Sequence, residues 1–248
     1  MLEYLRAFLA GRVGWDVLDA MLIISGAFGL FRRGLVVELG GYATDTVGED
    51  MELVVRIHRH CLERKIPYKV TFVPDPVAWT EAPESLRVLG RQRDRWQRGL
   101  MQVLWRHKVM LLNPRYGRVG MLAFPYFYFL EGWGPVIEVA GYVSFAVSLV
   151  LGTWSPLYLV AFLVLAFVFG AALSFAAVGL EELSFRRYER WRELALLLGL
   201  SLIEPFGYRQ MTSWWRAKGL WSALRGVQGW GAMERRGFQP AAARKKGR

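Results

Sequence analysis

Two short stretches of this chain carry residues whose types and spacing could do chemistry. In "TDTVGEDMELVVRIHRH" (44–60), Glu49 and Asp50 stand together after a glycine. From there Leu53, Val54, Ile57 and Cys61 recur at helical spacing, so Asp50 falls at or just inside a helix N-terminus. A carboxylate at that place complements the unpaired amides and the helix dipole, which makes a helix cap one reading. A general base is the other, because a positioned carboxylate can take the proton from a reacting hydroxyl. The second stretch is "RQRDRWQRG" (91–99). On a helix Gln92, Arg95 and Trp96 stand at i, i+3 and i+4 and project from one face. A guanidinium binds phosphate oxygens through paired hydrogen bonds, and an indole stacks on the apolar face of a sugar. A basic helix approaching an anionic membrane, with its tryptophan at the interface, fits the same residues. His58, His60 and His107 show no zinc-ligand spacing and read as surface histidines. The single Cys61 excludes an internal disulfide and a multi-cysteine metal site.

The elements that must position these residues form a mixed first part. "SGAFGLFRRGLVVELGGY" (25–42) is rich in glycine and apolar residues, as a strand and tight turns would be. "MLIISGAFGLF" (21–31) and "YKVTFVPDPVAW" (68–79) read as strands, and "PESLRVLGRQRDRWQRGLMQVLWRH" (83–107) as a helix with Pro83 in its first turn. "LLNPRYGRVG" (111–120) breaks that helix.

Beyond it the composition changes. Residues 119–151 and 157–180 are nearly free of charge, and the second block has no charged side chain. About 20 such residues cross a bilayer, so 157–180 predicts a transmembrane helix and 119–151 one long helix kinked at Pro125 and Pro135. Glu131 and Glu138 in the first block should face protein or water rather than lipid. The shorter run "LALLLGLSLIEPFGY" (194–208) either crosses or dips in and returns. The loop with Arg186, Arg187, Arg190 and Arg192 and the tail with Arg235, Arg236, Arg244, Lys245 and Lys246 both read as cytoplasmic. Both lie inside only if the third run does not cross completely. The segment after Tyr208 mixes tryptophan and leucine with arginine and lysine, the composition of a helix lying along a membrane surface. The formal net charge of +11 would suit nucleic acid, but the arginine-rich parts flank bilayer-length apolar runs, which excludes that partner. The opening residues lack the apolar core and cleavage site of a signal peptide.

Taken in order, "SGAFGLFRR", "GGY", "GED", "QRDRW" and the stretches "FGYRQ" and "WGAMERRGF" resemble the processive membrane glycosyltransferases of family 2. That family includes the synthases of cellulose, chitin, hyaluronan and poly-N-acetylglucosamine. The resemblance implies that Asp50 matches the catalytic base closing the family's Thr-Glu-Asp motif, with Gly48 in place of the threonine. It implies that Gln92 and Arg95 hold the donor diphosphate and that Trp96 stacks under the acceptor sugar, with Glu49 and Gly26 in support. The donor would be a nucleotide sugar and the acceptor a growing polysaccharide, with transfer to a lipid as the enzymatic rival. A non-catalytic membrane protein or remnant is the rival of another class. The family also implies Mg2+ or Mn2+, yet no Asp-x-Asp ligand motif occurs in this chain.

The expected fold is therefore a partial α/β domain of the glycosyltransferase-A type followed by an α-helical transmembrane region. Residues 1–113 would be the C-terminal part of the catalytic domain. Residues 114–207 would hold two or three membrane helices, and 208–248 an interfacial helix with a basic tail. The chain is expected to be the C-terminal half of an enzyme, partnered by the missing N-terminal half or another subunit. It would sit in the cell (inner or plasma) membrane, multi-pass, with its catalytic part cytoplasmic.

Overall fold

A computed structural model of the protein describes residues 11–74, 83, 85–185, 191–227 and 229. The basic loop at Arg186, Arg187 and Arg190, the tail from Gly231 onward and the end of the expected second strand lie outside the described residues. Among the described residues, four α-helices precede the apolar blocks: α1 (Gly11–Val17), α2 (Arg33–Glu38), α3 (Glu49–Arg64) and α4 (Leu86–Arg106). Then come α5 (Val119–Val150), α6 (Pro156–Gly179, helical onward to Phe185), α7 (Trp191–Ile203) and α8 (Tyr208–Leu224).

The expected α/β domain is not what the chain forms. Among the described residues there is no β-strand, and residues 20–25 and 66–74 run without regular structure. A strand exists only as one member of a hydrogen-bonded ladder, and neither segment supplies such a ladder to the other. Side chains hold them instead. His58 Nε2 donates to the Met21 carbonyl (2.8 Å), and the Phe72 amide donates to Asp16 Oδ1 (3.3 Å).

The helices follow from local rules. α3 has Glu49, Asp50 and Glu52 in its first turn, where carboxylates favour the helix dipole, and it stops at Lys65 in the left-handed region (φ 57°). α4 starts after Pro83, later than the sequence implies, because Ser85 caps it by accepting the Val88 amide on Oγ. Its side chains Leu100, Met101 and Leu104 meet Met51 and Val55 of α3, Tyr116, Phe124 and Phe127 around the start of α5, and Leu220 of α8 in one buried core. α8 lies against α4 so closely that a Cβ on Gly219 would come within 2.5 Å of the Asp94 carbonyl. Its Trp214 and Trp221 are exposed.

α5 and α6 are each long and apolar enough to cross a membrane. α5 is continuous but takes up Pro125 and Pro135 through π-helical turns at Val119–Ala123 and Tyr126–Trp133. α7 is 13 residues long and rises about 20 Å, short of a bilayer core of about 30 Å. It packs Leu197 against Val178 of α6.

Two of the histidines expected at the surface are buried, because both point into helix contacts. His107 is 4% exposed and donates through Nε2 to Glu52 Oε1 (3.3 Å). His58 is 1% exposed; since its Nε2 must donate to the Met21 carbonyl, its Nδ1 accepts from the Tyr68 hydroxyl (2.6 Å). Both nitrogens of a neutral ring are thereby used, and burial holds the imidazole down to a pKa of about 4. Below the ordinary value of 6.5 the unfolded chain binds a proton that the folded ring refuses until about pH 4. The stabilisation is therefore complete above pH 6.5 and is lost as the pH falls toward 4, up to about 3 kcal/mol. Thermal unfolding in detergent should show the melting temperature falling across this window. His58→Gln, which can donate and accept at the same places without titrating, should flatten that fall.

Candidate active site

The acidic turn and the arginine-tryptophan helix meet. Gly48, the N-cap of α3, lies against Gly99 of α4: a Cβ built on Gly48 would stand 3.0 Å from the Gly99 Cα and 3.1 Å from its carbonyl carbon. Gly99 follows Gln92 by two helical turns and Trp96 by three residues, so it belongs to the face that carries Gln92, Arg95 and Trp96. The same face continues to Gln102 and Arg106. Gln102 Oε1 accepts from the Thr46 hydroxyl (3.0 Å) and the Val47 amide (3.2 Å), and Arg106 Nη2 donates to Asp45 Oδ2 (2.6 Å). The turn is thus laid along one side of α4.

Asp50 is half-buried on this turn. Its Oδ1 accepts the Met51 amide (2.8 Å), which orients the carboxylate, and its Oδ2 lies where a Cβ on Gly26 would come within 2.7 Å. Gly26 therefore leaves the space that the second oxygen occupies. Burial raises the Glu49 carboxyl above its ordinary value, the charge of Asp50 adds to this, and Arg95 pulls the other way. Arg95 is buried (8% exposed), while Gln92 and Trp96 are half-buried. The Arg93 guanidinium lies over the Trp96 ring, 4.5 Å from its centroid.

The structure thus gathers Asp50, Glu49, Gly26 and Arg95, with Gln92 and Trp96 on the same helix face. It also adds a residue that sequence reasoning passed over. Arg12 of α1 is 8% exposed, and its guanidinium stands 5.8 Å from the Phe72 ring centroid. Burial lowers its pKa to about 10, and the charge of Asp50 opposes that fall, so Arg12 is electrostatically coupled to the acidic turn. A lone arginine amid glycines and apolar residues was its one signal in the sequence.

Beneath the site, Glu52 is 2% exposed. Burial works against its charged form, yet hydrogen bonds from His107 and Arg56 outweigh it and hold the carboxyl below its ordinary value. Arg56 donates to Glu52 Oε2 (2.7 Å from Nη2) and to the carbonyls of Leu39 and Gly41. The acid helix is thereby tied both to α4 and to the loop after α2. No group of three or more histidine, cysteine or acidic side chains that could hold a metal occurs among the described residues, so these residues do not fit the divalent ion that the family implies.

A carboxylate at the start of α3 thus lies on a turn packed against the helix that carries Gln92, Arg95 and Trp96, and two helices of membrane-crossing length and apolarity follow it in the chain. The chain belongs to the glycosyl transferase family group 2, whose model matches residues 8–175. It is similar to a probable glycosyltransferase, YdaM, of Bacillus subtilis (strain 168), 30% identical over 122 residues, or 48% of this chain and 28% of that protein. It is also similar to the poly-beta-1,6-N-acetyl-D-glucosamine synthase of Staphylococcus aureus (strain COL), 34% identical over 87 residues, or 35% of this chain and 20% of that protein. The chain thus covers less than a third of the length of either relative. No solved structure matches it.

The Gly48–Gly99 contact predicts a steric result. The N-cap at 48 has φ −121°, which any residue adopts, so Gly48→Ala fails only through its new methyl against the Gly99 backbone. Separating the two segments should cost about 1–3 kcal/mol. Gly34→Ala, at a helical glycine with nothing within 4 Å of the added carbon, should be neutral or slightly stabilising. Thermal unfolding of the two variants side by side would measure the difference.

Proposed function

We propose that this chain carries the acceptor side of an inverting glycosyltransferase that extends a polysaccharide from a nucleotide-sugar donor. Asp50 accepts the proton of the acceptor hydroxyl as that oxygen attacks the anomeric carbon. The bond from that carbon to the diphosphate breaks, and the nucleoside diphosphate leaves with the electron pair. Arg95 and Gln92 hold the departing diphosphate, and Trp96 stacks under the terminal acceptor sugar on the ring face away from Arg93. The single observation that carries this reading is the convergence of Asp50 and the Gln92–Arg95–Trp96 face through the Gly48–Gly99 contact. A base and an anion-binding cation must act on the same reacting centre, and two unrelated features would have no reason to meet there. Extension of a polymer is supported by the similarity to the Staphylococcus poly-beta-1,6-N-acetyl-D-glucosamine synthase.

In this reading α5 and α6 cross the cell membrane, and the site faces the cytoplasm, where nucleotide sugars are made. The support is physical. In the most apolar windows of these helices only 6% and 11% of residues are buried, whereas the core helix of a soluble protein is mostly covered. Glu131 and Glu138 turn inward and pair with arginines of α8 (Arg216 at 2.7 Å, Arg209 at 2.6 Å).

In membranes carrying the full-length protein, transfer from radiolabelled nucleotide sugars should fall by about a hundred- to ten-thousand-fold in Asp50→Asn, with insertion unchanged. Near-normal turnover would return Asp50 to the role of a helix cap. Glu49→Gln should do less, since neighbouring helical residues point roughly 100° apart.

The tryptophan separates substrate roles. Trp96→Ala should raise the acceptor KM more than the donor KM, whereas Arg95→Lys should impair donor use, because an ammonium cannot form the paired contact. Steady-state kinetics with each substrate varied in turn decide this; equal tolerance of both changes would favour a plain interfacial helix.

A further inference from the structure

Gln97 follows Trp96 but lies on the other side of α4, 2% exposed, in the helix's apolar stripe. Its amide is used at both ends. Nε2 donates to the carbonyls of Glu131 (3.0 Å) and Gly132 (2.7 Å), and Oε1 accepts from Arg216 Nε (2.9 Å). Arg216 Nη2 completes the cluster by donating to the Glu131 carbonyl and to Glu131 Oε2, each at 2.7 Å.

The Glu131 carbonyl is available for a reason that lies in the sequence. An α-helix would close it onto the amide of residue 135, but residue 135 is proline and has no N–H. Here the π-helical turns of α5 give way to its α-helical part, Gly134–Val150. In a bilayer-length helix an unsatisfied carbonyl costs several kcal/mol, so another group must serve it. The donors come from the motif helix and from α8.

We infer that Gln97 is a positioning residue that pins the Trp96 turn of α4 to the Pro135 junction of α5, so that the membrane helix sets where the indole stands. This rests on the acceptor-stacking role proposed for Trp96. The neighbouring contacts of α4 explain why such a pin matters. Gln102 and Arg106 tie α4 to the acidic turn, but they set no register against the membrane-length helix, and the close approach of Asp94 to Gly219 fixes none along the helix axis. Hydrogen bonds to two successive carbonyls are directional and fix it. A shift of about 1 Å at such a point is enough to cost roughly a hundredfold in a reaction that depends on alignment.

Two variants test the pin. Gln97→Leu removes all three of its hydrogen bonds at similar volume. Pro135→Ala returns an N–H to residue 135, which competes for the Glu131 carbonyl while leaving Gln97 intact. Spin labels at exposed Arg87 of α4 and Leu122 of α5 report the register, since the single native cysteine, Cys61, is buried. Both variants should broaden or shift the label–label distance distribution measured in the full-length protein in detergent. Both should also raise the acceptor KM, by about tenfold for Gln97→Leu, with the donor KM held within about twofold. A role in stability alone would instead lower the melting temperature and the active fraction, leaving both KM values and the distance distribution as in the parent. An unchanged distribution in Gln97→Leu and Pro135→Ala overturns the inference, whatever the kinetics. If the parent protein transfers no sugar, the enzymatic reading fails, and the label distances still decide whether the pin exists.

Discussion

The site depends on two backbones that touch. With hydrogen in place of a side chain on both Gly48 and Gly99, the start of α3 comes within van der Waals reach of the side of α4. Everything polar on the acidic turn is arranged around that approach. Gln102 reaches back to Thr46 and Val47, Arg106 to Asp45, and the Gly48 amide donates to the Thr46 hydroxyl (3.2 Å). The departure from the family's Thr-Glu-Asp pattern has its explanation here: a branched side chain at 48 would be driven into the Gly99 backbone. The neighbouring Thr46 provides a hydroxyl to the turn instead.

A second tie lies one turn further into α3. A buried carboxylate is expensive to desolvate, and Glu52 is tolerated because Arg56 and His107 surround it with donors. Such a pair adds little net stability compared with an apolar pair of equal volume, but it is directional. One contact holds the tip of α3 and another holds its first turn against the end of α4, so α3 cannot pivot about the glycine contact. Asp50 sits between the two ties. Its position is over-determined, which is what the role proposed for it as a base requires.

Much of this was legible in the sequence, and the misses share a cause. The helices from Glu49 and around Gln92, and the two bilayer-length blocks, are written in local periodicity and hydropathy, which survive without knowledge of neighbours. The strands were misread because a strand is defined by its partner: "MLIIS" and "YKVTF" have β-forming composition, but composition does not supply a ladder. His58 and Gln97 carried an unused signal. His58 falls four residues after Val54 and three before Cys61, and Gln97 three before Leu100 and four before Met101, so both polar residues stand on apolar stripes. A polar side chain at such a place asks for a buried partner. Which partner it finds, a Met21 carbonyl or a proline-freed carbonyl in another helix, is a tertiary fact that spacing within one helix does not contain.

The paired glutamates and arginines bear on how the protein is made. Arg209 follows Glu138 by 71 residues and Arg216 follows Glu131 by 85, so the carboxylates leave the ribosome well before the cations that will neutralise them. At about 5–20 residues per second, the delay is roughly 4 to 17 seconds. In the reading of α5 as a membrane-crossing helix, Glu131 and Glu138 spend that delay without their counter-charges in a bilayer that disfavours them. On the same reading, the final seating of α5 waits until α8 has emerged and docked. On that reading α8 is a late latch: its Arg209 and Arg216 complete the charge balance of α5 only after the whole of α5 has been made.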